Sequence, residues 1–141
     1  MARSQNAEAK TFALDAARVA RERHCRDVVV LDLKGTSPAT DFFVIATGTS
    51  DRQMRTVADE VSVAAKQAGF PRFGRAGYDH ARWILLDFVH VVVHIFDREY
   101  RDYYDLENLW GEAESLEIPE DSDRKTADGE QIVEDGSIDW Q

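Results

Sequence analysis

Residues 40–53, TDFFVIATGTSDRQ, admit few local structures. An apolar run long enough for one strand stops at Gly48, and an amphipathic segment begins within three residues. Ser50 and Gln53 stand at the spacing of a capping box, in which the serine accepts a helix-start N–H and the glutamine reaches back to a second one. The segment therefore reads as strand, tight turn, capped helix. Such a turn leaves backbone N–H groups at a helix start, where an anion or a carboxylate is favoured. Ordinary capping explains the same residues without any ligand.

The remaining elements follow from periodicity. Residues 7–24 place Phe12, Ala16, Val19 and Ala20 near helical spacing. A β-branched run, Val28–Leu33, is followed by the turn signal Lys34-Gly35-Thr36-Ser37-Pro38 and then by a strand at Asp41–Thr47. In Ser50–Ala68 the residues Met54, Val57, Ala58, Val61, Ala64 and Ala65 recur on one helical face, and Gly69 closes the helix. Residues 70–80 are mixed and suit a short strand or an irregular loop. Trp83–Phe88 and Val91–Phe96 are separated by only two residues, which requires an antiparallel hairpin. A last helix is predicted over Arg98–Trp110, begun at Asp97 and ended by Gly111, with Leu106 and Leu109 in its core-facing stripe. The order α-β-β-α-β-β-α defines an α/β fold: a small mixed sheet with helices mainly on one face.

Strand alternation separates the two sides of the hairpin. Ile84, Leu86 and Phe88 with Val91, Val93 and Ile95 form the aliphatic side, expected under the helices. The opposite side collects Trp83, Leu85, Asp87, His94 and Phe96. Aromatic, aliphatic and ionisable groups mixed in this way suit the centre of a protein interface. Tyr104 and Glu107 lie three apart on the last predicted helix and extend the same candidate surface.

Charge is unevenly placed. Residues 112–141 carry 11 Asp or Glu and 2 Lys or Arg, whereas residues 1–111 carry 16 and 15. The expected organisation is therefore a nearly neutral domain, 1–111, followed by an acidic tail, 112–141, whose composition reads as disordered. A domain without basic excess gives little footing for binding a nucleic-acid backbone, so no direct sequence-specific nucleic-acid contact is expected. An acidic arm suits a basic protein partner instead. No apolar run approaches the roughly 20 residues of a membrane span, the N-terminus lacks the apolar core of a secretory signal, and the single Cys25 forms no internal disulfide. A cytoplasmic protein without membrane contact is the expectation.

Catalytic patterns are weak. A Gly-Ser helix start resembles half of a nucleotidyltransferase site, but the strand Trp83–Phe88 offers only Asp87 and no pair of acids at alternate positions for magnesium. His90 and His94 would lie ~13 Å apart along a strand, too far for one metal ion. Cys25 beside His24 reads as packing. No catalytic residue, cofactor or metal ligand is assigned. The competing reading is a nucleotide-binding enzyme or sensor that uses the Gly48–Ser50 loop.

Four segments carry a resemblance: TGTSDRQ at 47–53, WILLD at 83–87, VVHIF at 92–96 and YDLENLW at 104–110. Together they are similar to the ribosomal silencing factor family, also called Iojap-like proteins, from about Leu14 to Gly111. The resemblance implies a nucleotidyltransferase-like core without its catalytic residues. It implies a non-enzymatic partner of the large ribosomal subunit, docked on that subunit's fourteenth protein where the small subunit would join. Translation would be repressed by steric block, or subunit maturation aided. The family also implies a homodimer in the free state. The tryptophan and aspartate of the W-x-L-L-D strand, Trp83 and Asp87, belong to the family's functional surface.

Overall fold

The computed structural model describes residues 2–72 and 74–119. The chain forms α1 (Ala2–Glu22), β1 (Arg26–Asp32), β2 (Phe42–Thr47), α2 (Asp51–Gln67), β3 (Gly74–Ala76), β4 (Trp83–Asp87), β5 (Val91–Phe96), α3 (Arg98–Tyr104), α4 (Leu106–Leu109) and β6 (Glu114–Leu116). The strands make one mixed sheet in the order β3-β4-β5-β2-β1-β6. Only β2 and β5 pair in parallel, with Phe42 opposite Val91 and Thr47 opposite Phe96. The expected β4–β5 hairpin is present, in register from Trp83↔Phe96 to Asp87↔Val92.

The strand-to-helix turn has a specific packing cause. Gly48 donates its N–H to the Phe96 carbonyl at 2.7 Å, and a Cβ at Gly48 would fall 2.1 Å from Met54 Cγ. No side chain fits between the strand end and the first turn of α2. Ser50 Oγ then accepts the Gln53 N–H at 3.0 Å. Gln53 Oε1 reaches back to the Thr49 N–H at 2.6 Å, one residue earlier than the Ser50 N–H that a standard box would use. Its amide also donates to the Arg23 carbonyl at 2.7 Å, tying the start of α2 to the end of α1.

One face of the sheet carries α1 and α2. Phe12, Ala13, Ala16 and Ala17 of α1 and Met54, Val57, Ala58 and Val61 of α2 are buried there with Val44, Ile84, Leu86, Val91, Val93 and Ile95. The aliphatic side of the hairpin is thus under the helices, as its alternation predicts. Phe12 stacks on Phe70 at 5.3 Å and meets Phe88 edge-on at 5.2 Å, closing the far end of this core.

The C-terminal elements depart from expectation in two ways. Asp105 adopts a left-handed conformation, φ +49°, so the predicted helix 98–110 divides into α3 and the single turn α4. With the phase reset there, Leu109 points outward and is 72% exposed rather than core. The chain then continues past the boundary expected at Gly111. Residues Glu114–Leu116 pair antiparallel with Asp32–Val30 of β1, and Ile118 is 7% exposed in the helix-covered core. The folded unit therefore extends beyond 111, because β1 would otherwise leave an open edge beside a core gap. Residues 120–141, most of the acidic tail, lie outside the described residues.

Loss of β6 should be measurable. A chain ending at Gly111 should be less stable than one ending at Pro119 by at least about 2 kcal/mol, chiefly the burial of Ile118 and Leu116. Urea unfolding of the two chains reads this difference; coincident midpoints would show that β6 contributes nothing.

Candidate protein interface

The second face of the sheet is only partly covered. Its buried apolar residues are Leu31, Leu33, Ile45 and Phe96, flanked by the partly buried Val29, Phe43, Trp83, Tyr100, Leu106, Trp110 and Ala113. The cover is a strap made by α3 and α4. Arg101 anchors it from a position 5% exposed. Its guanidinium donates to the Asp27 carbonyl at 2.5 Å, to Thr47 Oγ1 at 2.9 Å, and in a two-point contact to Glu107 at 3.1 and 2.6 Å. A buried arginine with every side of its fork engaged fixes α3 against the ends of β1 and β2. Trp110 closes the strap edge-on against Phe43, with ring centres 5.9 Å apart.

Beyond the strap, over β4 and β5, no described element covers the face. Five of the residues singled out from sequence converge there. The Trp83 indole stacks on Phe96 at 4.9 Å and meets Tyr104 at 4.7 Å, and Leu85 is half-buried two positions along β4. His94 and Phe96, at 4% and 1% exposure, form the floor beneath these side chains rather than contact surface. A groove of about 700 Å³ runs beside them, lined by Ala76, Gly77, His80, Arg82, Trp83, Leu85 and Tyr100.

The other two residues are placed elsewhere. Asp87 accepts the Val89 N–H at 2.8 Å and holds the β4–β5 turn, where Val89 has φ +73°. Glu107 is engaged with Arg101, because the left-handed Asp105 breaks the helical phase that would have set it beside Tyr104. The surface also includes Phe43 and Val92, half-buried and not singled out, together with Trp110, half-buried, and Tyr103, 79% exposed. Phe43 has the right parity in β2, but only the β2–β5 register places it beside His94.

His94 is the polar centre of this face. Trp83 Nε1–H donates to His94 Nδ1 at 3.2 Å. With Nδ1 accepting, the neutral imidazole carries its proton on Nε2. That Nε2 is buried and has no partner among the described residues. Desolvation pushes the His94 pKa down to about 4, and a buried donor without an acceptor costs about 1–3 kcal/mol.

The Gly48–Ser50 loop lines a separate open cleft of about 580 Å³ with Arg26, His80, Arg82, Asp97 and Arg98. Its arginines are largely engaged by carboxylates: Arg82 by Asp97 and Glu99, Arg98 by Asp27 and Asp102. Asp97 also caps α3, accepting the Tyr100 N–H at 2.7 Å. The cleft holds paired charges rather than a free cationic cradle.

Architecture and sequence agree with known proteins. The sequence model of the family described as "ribosomal silencing factor during starvation" matches residues 6–137, past the limit that the motifs alone marked at Gly111. A ribosomal silencing factor from Halalkalibacterium halodurans is 40% identical over 97 residues, covering 69% of this chain and 83% of that protein. A mouse protein named for mitochondrial assembly of the large ribosomal subunit is 31% identical over 93 residues, covering 64% of this chain and 41% of its own length. The crystal structure of a Chromobacterium violaceum protein superposes with a TM-score of 0.67 at 32% identity, over 80% of this chain and 91% of that one. The chain belongs to the ribosomal silencing factor family.

The buried histidine sets a pH dependence of stability. His94 has its pKa lowered in the fold, to about 4, from about 6.5 when unfolded. The unfolded chain therefore binds the proton more readily. The contribution is fully present above pH ~6.5 and is lost as pH falls toward 4, by up to about 3 kcal/mol. Urea unfolding at pH 7 and pH 4.5 should show the loss in the wild type and a smaller loss in His94→Phe. Equal losses in both chains would place the effect on other groups.

Proposed function

We propose that this protein is a non-enzymatic, cytoplasmic, ribosome-associated repressor of translation. It binds the large ribosomal subunit through that subunit's fourteenth protein, and its bulk then excludes the small subunit. Family membership supports the ribosome association, and the name of the mouse relative supports the large subunit as the partner. A further role in large-subunit maturation is consistent with that relative. None of the described helices is long and apolar enough to cross a membrane.

One observation carries the docking site: the sheet face at Trp83 and Leu85, left open where the α3–α4 strap ends. Its border is charged but largely paired: Arg82, which lines the groove, is held by Asp97 and Glu99, Arg98 by Asp102 and Arg101 by Glu107, while Asp105 and Glu112 lie along the strap and just beyond it. An apolar centre within a polar rim fits a protein surface that presents aliphatic side chains. In the free protein a second copy covers the same apolar centre, giving a homodimer. Steric exclusion needs no reacting group, only an affinity above that of the competing subunit.

Co-sedimentation with separated subunits tests this reading. Binding is expected to the large subunit alone; equal binding to both subunits, or to neither, would refute it. Leu85→Glu is the cleaner surface variant, since Trp83 also holds His94 and its replacement would disturb the fold. Removal of a central apolar contact should lower affinity at least about 30-fold, with a melting temperature close to that of the wild type. Wild-type affinity in Leu85→Glu would remove this face from the site.

A further inference from the structure

The open face hides an unmet hydrogen-bond donor one side chain below its surface. His94 is held on three sides by rings: Phe43 at 4.4 Å, Trp83 at 6.0 Å and Phe96 at 6.1 Å. Trp83 occupies Nδ1, so the proton on Nε2 is left without an acceptor among the described residues. Helices cover the opposite face of the sheet, but above His94 the covering side chains are themselves half-exposed. Phe43, Trp83 and Leu85 are all of intermediate burial, and Tyr104 is exposed. On this side the imidazole is thus bordered by side chains that are themselves partly exposed.

We propose that His94 is a specificity-determining donor of the docking face, and that the bound protein delivers a main-chain carbonyl oxygen to its Nε2–H as the Phe43 ring turns aside. This rests on the docking reading above and adds its polar register point. Two arguments select a carbonyl. A carboxylate would lose its hydration beside a neutral imidazole that cannot offset its charge, since burial disfavours the charged ring. A hydroxyl would satisfy Nε2–H but bring a new buried donor needing its own partner, whereas a carbonyl only accepts. The partner presents, in consequence, an extended or turn segment with one carbonyl exposed among aliphatic side chains.

Two variants and one spectroscopic measurement test the assignment in the full chain. His94→Gln keeps a donor near the position of Nε2, and His94→Phe keeps a planar ring without one. Large-subunit affinity should fall about tenfold in His94→Phe, the effect of one buried hydrogen bond, and should stay within about threefold of the wild type in His94→Gln. Equal affinities for Phe and wild type, or equal losses for Gln and Phe, would overturn the proposal. Leu85→Glu run alongside separates the two levels: loss there with no loss in His94→Phe removes only the histidine, and no loss in either removes the docking face.

If His94→Phe fails to fold, the wild-type chain labelled with ¹⁵N-histidine and titrated with the purified fourteenth large-subunit protein gives the same decision. The Nε2–H resonance should move downfield on complex formation. A resonance that stays in place while backbone amides of β4 shift would overturn the proposal. So would one already downfield in the free chain that moves upfield on truncation after Pro119, which would assign the acceptor to the chain's own C-terminal residues.

Discussion

The structure depends on the parallel pairing of β2 with β5. These strands align over six residues, from Phe42↔Val91 to Thr47↔Phe96, and join two antiparallel units, β2–β1–β6 on one side and β3–β4–β5 on the other. A parallel pair cannot close through a tight turn. Its crossover here carries α2 together with β3 and β4. That crossover, with α1 packed beside it, concentrates helix burial on one face. The second face follows from this: among the described residues it receives only the seven residues of α3, one turn of α4, and whatever side chains the strands and the following turn supply.

A single buried arginine determines how much of that second face is covered. Arg101 ties the strap to the β1 and β2 ends through a carbonyl, a hydroxyl and the Glu107 carboxylate. Breaking such a contact would leave a buried charge without compensation, so the strap is fixed in place rather than free to slide across the sheet. The left-handed Asp105 then turns the chain back over β1 and β2, and Trp110 ends against Phe43. Among the described residues β4 and β5 keep an open aromatic surface, because the α3–α4 strap is held against the ends of β1 and β2.

Alternation and capping made much of this legible in the sequence. The hairpin, its two faces and the capped start of α2 each follow from local spacing, since a strand side chain or a helix cap is set by neighbours within four residues. Three features were not local. The β2–β5 register, which brings Phe43 beside His94, joins residues some fifty apart and has no sequence period of its own. The break at Asp105 looks in sequence like a continuing helix, since Tyr103, Leu106 and Leu109 keep a helical spacing across it. The strand β6 sits in an acidic stretch of low apolar content, and only its pairing with β1 turns Leu116 and Ile118 inward. Glu107 was misplaced for the second of these reasons, and the boundary at Gly111 for the third.

Trp83 shows how one residue serves both fold and surface. A tryptophan on an open face brings a large contact area but ordinarily rotates, and that freedom must be given up on binding. Here its N–H is held by His94 Nδ1 and its ring by Phe96 and Tyr104. The indole is thus ordered before any partner arrives, with one edge fastened inward and the rest half-exposed. The cost falls on His94, whose Nε2–H has no acceptor among the described residues. A fold selected for stability alone would place an apolar ring at this position and let Trp83 find solvent. The retained imidazole makes sense where a rigid aromatic anchor is worth more to the protein than one satisfied donor in the free state.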